Sequence, residues 1–334
     1  MKLLLSIFIS SFTLSLMGES SVLNDSCRNC HLPQDNTFHS SAHGPKLLCT
    51  DCHNDYGGFP HEKRHFENKR QYSLDKVKTC QRCHYSHYTR ALDSVHYVQL
   101  KAGNLDAAMC TDCHGHHDIK RPGATRTDIT KRCAKCHDDI DKVYRQSIHG
   151  SAMANENNQD VPVCTDCHTS HEIKEHNDSS FHINAYKTCG RCHGDQEKME
   201  RYGLNTNILT SYLDDFHGAS NRIYSQQKQH SEKLIAACYD CHGVHDIKSK
   251  KESQTHEEAR AKIVQMCKKC HLNATPSFSN AWLSHYPPTL KSAPLVWLVK
   301  WFYRIMIPLA IIGLILHILL HIWRASSRGD RLKK

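Results

Sequence analysis

Apolar residues gather at the two ends of the chain, in a short run over residues 3–17 and a longer one over 301–323. Between them the pattern shows almost no strand alternation and only short helical segments, such as 231–237 and 256–266, separated by loops. The expected fold is mainly α with extensive loops, plus one C-terminal transmembrane helix.

The first run follows Met1 and Lys2 and leads into Gly18, Glu19 and Ser20. A basic start, a short apolar stretch and small residues behind it predict a Sec-type signal peptide over residues 1–20, cleaved after Ser20. No cysteine stands there, so no lipoprotein anchor is expected; left uncleaved, the run becomes a second short anchor. The second run has 23 residues, enough to cross a hydrocarbon core of about 30 Å at about 1.5 Å per residue. Arg304 interrupts its start, and Trp297, Trp301, Phe302, Tyr303 and Trp323 sit at its ends as interfacial anchors. A buried helix of a soluble protein is the competing reading. Beyond it Arg324, Arg328, Arg331, Lys333 and Lys334 outweigh Asp330. The positive-inside rule then makes 324–334 a cytoplasmic tail in a single-pass protein of a bacterial inner membrane. Residues 21–290 form the periplasmic body, and 291–300 the linker.

Composition changes this picture: 18 cysteines and 28 histidines stand among 334 residues, far above background use. The cysteines fall as Cys27/Cys30, Cys49/Cys52, Cys80/Cys83, Cys110/Cys113, Cys133/Cys136, Cys164/Cys167, Cys189/Cys192, Cys238/Cys241 and Cys267/Cys270. Each pair is C-x-x-C, and each is followed at once by histidine: His31, His53, His84, His114, His137, His168, His193, His242 and His271. C-x-x-C-H attaches c-type haem: both thiols form thioethers to the vinyl groups and the adjacent histidine becomes the proximal iron ligand. A zinc site or a disulfide framework does not require histidine at the same offset every time. Nine covalent haems c are expected, and with about 30 residues for each, the porphyrins must form much of the core. Without them the body is not expected to fold.

The motifs alternate in character. Odd ones read C-R-N-C, C-Q-R-C, C-A-K-C, C-G-R-C and C-K-K-C, even ones C-T-D-C three times and C-Y-D-C once, so the haems come in pairs. Three even motifs continue as CHGHHDIK, CHTSHEIK and CHGVHDIK, placing His117, His171 and His245 three residues past the proximal histidine. After odd motifs an S-x-H-G-like element recurs, with His43, His96 and His149 each twelve residues beyond the proximal histidine and His217 and His285 at longer spacing. The unit repeats about four and a half times. These eight histidines are the distal candidates. Only seven methionines exist, several of them in the terminal apolar runs, so bis-histidine ligation and low potentials are expected. His61, His65, His116, His176 and His230 read as solvated surface residues.

The formal net charge of +9 does not indicate nucleic-acid binding. Seven basic groups and one acid lie in residues 300–334, leaving the body at about +3 before the haem propionates are added.

On these motifs the chain resembles the multihaem c-type cytochromes with paired C-x-x-C-H repeats, in particular bacterial membrane-anchored ones that pass electrons between the quinone pool and periplasmic partners. The resemblance implies stacked haems acting as a wire, with a membrane b-type cytochrome or quinone-reactive subunit and periplasmic redox proteins as partners. The small tetrahaem quinol dehydrogenases of this group carry their anchor at the N-terminus; here the apolar helix is C-terminal. His317 and His321 lie i,i+4 within that helix, with Gly313 one turn earlier. At most one ligates a haem b shared with a partner subunit; the other bonds a quinone head group or a haem propionate. His321, one turn from Arg324, also fits a plain interfacial residue. The alternative function is a multihaem reductase of nitrite, hydroxylamine or a sulfur oxyanion, whose open iron is sought at the end motifs, His31 and His271. A haem-storage protein explains neither the anchor nor the pairing.

Overall fold

The computed structural model describes residues 27–56, 59–62, 64–121, 125–175, 179–226, 235–248, 256–281, 288–291 and 293–329. The expected signal peptide, His176, His230, His285 and the end of the basic tail lie outside them. Helices of four to thirteen residues joined by loops make up the described body, and no strand occurs among the described residues.

The even motifs explain their own aspartate. Cys49–Cys52, Cys110–His114, Cys164–His168 and Cys238–His242 are one-turn helices. In each, the aspartate accepts a hydrogen bond from the backbone N–H before the first cysteine: Asp51 from Leu48 at 2.7 Å, Asp112 from Met109 at 2.8 Å, Asp166 from Val163 at 2.7 Å and Asp240 from Ala237 at 2.7 Å. A helix start with orphan N–H groups is stabilised this way. The arrangement needs an extended residue in front, which is why 235–237 are not helical although the sequence pattern predicts a helix there. The helix expected over 256–266 is present as His256–Lys268.

The same carboxylates are gripped from the preceding segment. Arg70 donates twice to Asp112, at 2.9 and 2.8 Å, and also to the carbonyls of Leu105 and Ala107. Arg126 does likewise to Asp166 and the Val161 carbonyl, and His182 meets Asp240 at 3.0 Å. The basic residues of odd motifs reach backward: Arg82 donates to the Asp51 carbonyl and Lys135 to that of Asp112. Alternating basic and acidic motifs thus stitch neighbours together. Asp112→Ala removes a cap and leaves Arg70 without its carboxylate, a loss of about 1–2 kcal/mol. The expected result is a melting temperature lower by roughly 2–8 °C, read by thermal unfolding of the haem-loaded protein at the Soret band.

The S-x-H-G element is also decoded. Ser94 and Ser147 cap short helices by accepting backbone N–H groups, and Ser41 closes a turn in the same way. The next residue donates its N–H to the isoleucine carbonyl of a later H-(D/E)-I-K segment: Ala42 to Ile119, Val95 to Ile173 and Ile148 to Ile247, at 2.7–2.8 Å. A Cβ at Gly44, Gly150 or Gly218 would overlap the carbonyl oxygen of Phe38, Tyr144 or Tyr212, so the close approach of the two backbones demands glycine.

The described residues divide into two compact units, 1–189 with 223–255 and 190–222 with 256–334. In the first, the buried apolar side chains are Phe38, Met109, Met153, Val163, Ile183, Ala185, Tyr186 and Ala237. They make a small apolar core for a body of this length. In the second, fully buried Asn221 donates to the Tyr212 hydroxyl, and Met199, Tyr212, Val264 and Ala274 are buried.

The second unit also carries the helix Pro294–Gly329. It begins within the stretch expected as a linker and continues past Trp323, because Pro294 is suited to a first helical turn and apolar residues follow it directly. Within its 33-residue portion Pro294–Ser326, the most apolar stretch has mean hydropathy 2.5 and none of that stretch is buried. At about 1.5 Å per residue the whole portion spans roughly 50 Å, longer than a bilayer core. Pro308 lies inside it and leaves the Arg304 carbonyl without its helical donor, while the Arg304 guanidinium sits 5.4 Å from the Trp301 ring centroid.

Candidate haem-binding sites

The motif cysteines are arranged in couples. Thiol–thiol hydrogen bonds join Cys27 with Cys49, Cys80 with Cys110, Cys133 with Cys164 and Cys189 with Cys238. In each case the first cysteine of an odd motif meets the first cysteine of the following even motif, so two attachment points lie side by side. Between couples, Cys52 is within electrostatic reach of Cys83, and Cys113 of Cys133. The attachment points from motif one to motif six therefore form an unbroken succession in chain order.

Sequence gives the two thiols of a motif the same role, but the structure distinguishes them. The first cysteines, from Cys27 through to Cys267, are all half-buried. The second cysteines lie further out: Cys30, Cys83, Cys113, Cys136, Cys167 and Cys270 are exposed, while Cys52, Cys192 and Cys241 are half-buried. No disulfide joins any of the eighteen. An inner thiol packed on its neighbour and an outer thiol open to a vinyl group suit two thioethers to one porphyrin edge. In motif seven both thiols and His193 lie on one helix, Ala185–His193, whereas motif nine straddles the end of His256–Lys268, so that Cys270 and His271 follow the helix rather than belong to it.

Two imidazole–metal bonds of about 2 Å each, with the inner half of each ring added, set two trans axial histidines about 6 Å apart between centroids. The histidine rings stand at that spacing. His84 faces His43 at 5.9 Å, His137 faces His96 at 6.2 Å and His271 faces His217 at 6.3 Å. His53 faces His117 at 6.1 Å, His114 faces His171 at 6.1 Å and His168 faces His245 at 5.9 Å. Interplanar angles run from 15° to 51°. Opposed rings at this spacing are the arrangement a planar porphyrin between them would need, and His87 stands near two of the couples, 6.3 Å from His84 and 4.7 Å from His171.

Two register rules emerge. The S-x-H-G histidine faces the proximal histidine of the next odd motif, whereas the second histidine of H-x-x-H faces that of the preceding even motif. His149 lies on the equivalent capped helix, Ile148–Glu156. Burial holds His53, His114, His168 and His242, together with His43, His96, His117, His171 and His245, below the usual imidazole range. Neutral rings offer a lone pair to iron. Nitrogen choice is set by neighbours: the Tyr72 hydroxyl sits 3.1 Å from His53 Nδ1, and the Ser170 hydroxyl 3.2 Å from His171 Nδ1, which leaves Nε2 for the metal in both.

The chain leaves three of the four even motifs through a residue of positive φ: Gly115 at 77°, Thr169 at 62° and Gly243 at 81°. This turn carries the second histidine of H-x-x-H away from its own motif. Two histidines at the sites escape the sequence pattern. His61, classed with the surface histidines, faces His31 at 6.3 Å and 24°. His87, three residues past His84 in an odd motif, packs on His171 at 4.7 Å; the H-x-x-H spacing in CQRCHYSH was its visible signal. His116 rests edge-on against His117 at 5.0 Å. His317 and His321 are exposed on the C-terminal helix.

Nine C-x-x-C-H motifs and a mainly helical fold with opposed histidines support a multihaem c-type cytochrome. Consistent with this, a family model described as a doubled CXXCH motif matches residues 103–142, a span containing the fourth and fifth motifs. No curated protein and no solved structure matches the chain.

Proposed function

We propose that this cytochrome carries electrons along nine bis-histidine c-type haems, between the membrane quinone pool or a b-type membrane subunit and periplasmic redox proteins. The observation that supports the reading is the set of histidine couples about 6 Å apart, joined by side-by-side cysteines in chain order. Bound haem would supply one-electron chemistry; the chain's histidine couples would hold the irons, and its paired cysteines keep attachment points close. Bis-histidine ligation favours low potentials, suited to exchange with a quinol pool. The apolar helix Pro294–Gly329 anchors the body to the inner membrane, with its basic end cytoplasmic and His317 and His321 available to a haem b or quinone of a partner subunit. A reductase with an open iron at an end motif gains no support from the geometry, since His31 and His271 each face a second histidine.

Low-temperature EPR of the fully oxidised, membrane-extracted protein is expected to show low-spin ferric haem only, and quinol added to membranes is expected to reduce the Soret-absorbing species. A stoichiometric high-spin signal that shifts with nitrite, hydroxylamine or tetrathionate overturns the carrier reading. Removing residues 294–334 is expected to move the haem protein from the membrane to the soluble fraction.

A further inference from the structure

We infer that His61 is the second axial ligand of the iron carried by motif one, supplied by a loop that stands outside the repeat. The inference rests on the bis-histidine reading above. The repeat histidines nearest to motif one are already committed: His43 faces His84 and His117 faces His53. Opposite His31 stands His61, at 6.3 Å and 24°. That separation lies within the range of the repeat-derived couples, and the ring tilt is close to the 26° of His168 with His245.

The loop is held rather than merely near. Tyr56 meets the His61 ring edge-on at 5.2 Å, and Phe59 does so at 6.5 Å. Tyr56 in turn packs on His53 at 6.2 Å, with the Arg64 guanidinium 5.5 Å from its ring centroid. The loop that presents His61 to motif one is therefore fastened to the proximal histidine of motif two. His61 belongs to neither S-x-H-G nor H-x-x-H, so motif one is closed by a ligand of separate origin.

The test is EPR and optical spectroscopy of the full-length, haem-loaded protein carrying His61→Ala or His61→Met, with haem content measured in each and His117→Ala as the comparison. His61→Ala is expected to give one haem equivalent of high-spin iron that added imidazole returns to low spin. His61→Met is expected to give one equivalent of histidine–methionine ligation with a raised potential. Spectra unchanged in both variants, or a high-spin signal that imidazole does not reverse, overturn the assignment, as does loss of one haem without any change in spin state. If His117→Ala responds and His61 does not, only this inference falls. If neither responds, the bis-histidine reading itself has failed.

Discussion

His117→Ala is expected to turn one haem equivalent high-spin, and that haem is the one on motif two rather than the one on motif four, next to which His117 stands in the sequence. Cys110, Cys113 and His114 are untouched, so motif four keeps its haem, while the ring facing His53 at 6.1 Å is gone. Loss of a strong-field nitrogen also raises the potential of that centre, placing a step in the electron path. A second substitution locates the effect. Adding Cys49→Ala and Cys52→Ala, which removes the motif-two haem, is expected to abolish the high-spin signal; adding Cys110→Ala and Cys113→Ala instead leaves it. The reverse pattern would falsify the backward register.

Gly150→Ala is expected to destabilise the body markedly. The added methyl would overlap the Tyr144 carbonyl and lie 2.8 Å from the Arg145 Cα. Both neighbours are backbone of the helix Asp138–Gln146, so no flexible side chain can move aside. Overpacking of this kind costs about 1–3 kcal/mol, which corresponds to a melting temperature lower by roughly 2–12 °C. Gly313→Ala, where nothing lies within 4 Å, is the comparison and should leave the melting temperature nearly unchanged. Equal shifts in the two variants would show that the close backbone approach is not what the S-x-H-G glycine serves.

The motifs, their pairing and the distal elements were legible in the sequence because each has a local cause: thioether spacing, an aspartate cap, a serine cap, a glycine at a backbone contact. The register was not legible. Whether His117 serves its own motif or another depends on the turn at Gly115, whose positive φ is a property of the folded backbone rather than of spacing. Thr169 at the same position makes the point, since threonine gives no hint of a positive φ. Nor does spacing separate an inner thiol such as Cys133 from an outer one such as Cys136, because that difference arises from the neighbouring motif packed against the first. His61 was invisible for a different reason: it occurs once, on a loop, so no repetition distinguishes it from His65. The helix starts at Pro294, ahead of the interfacial aromatic residues, because those mark where lipid ends, not where a helix does.

The two register rules also order the events of maturation. A chain made from its N-terminus presents His43 before His84, His96 before His137 and His217 before His271, so these odd motifs meet a sixth ligand as soon as they appear. Even motifs must wait: His53 precedes His117, His114 precedes His171 and His168 precedes His245. On the bis-histidine reading, half-finished chains would therefore carry an even-motif haem still lacking its second histidine until a later H-x-x-H segment arrives.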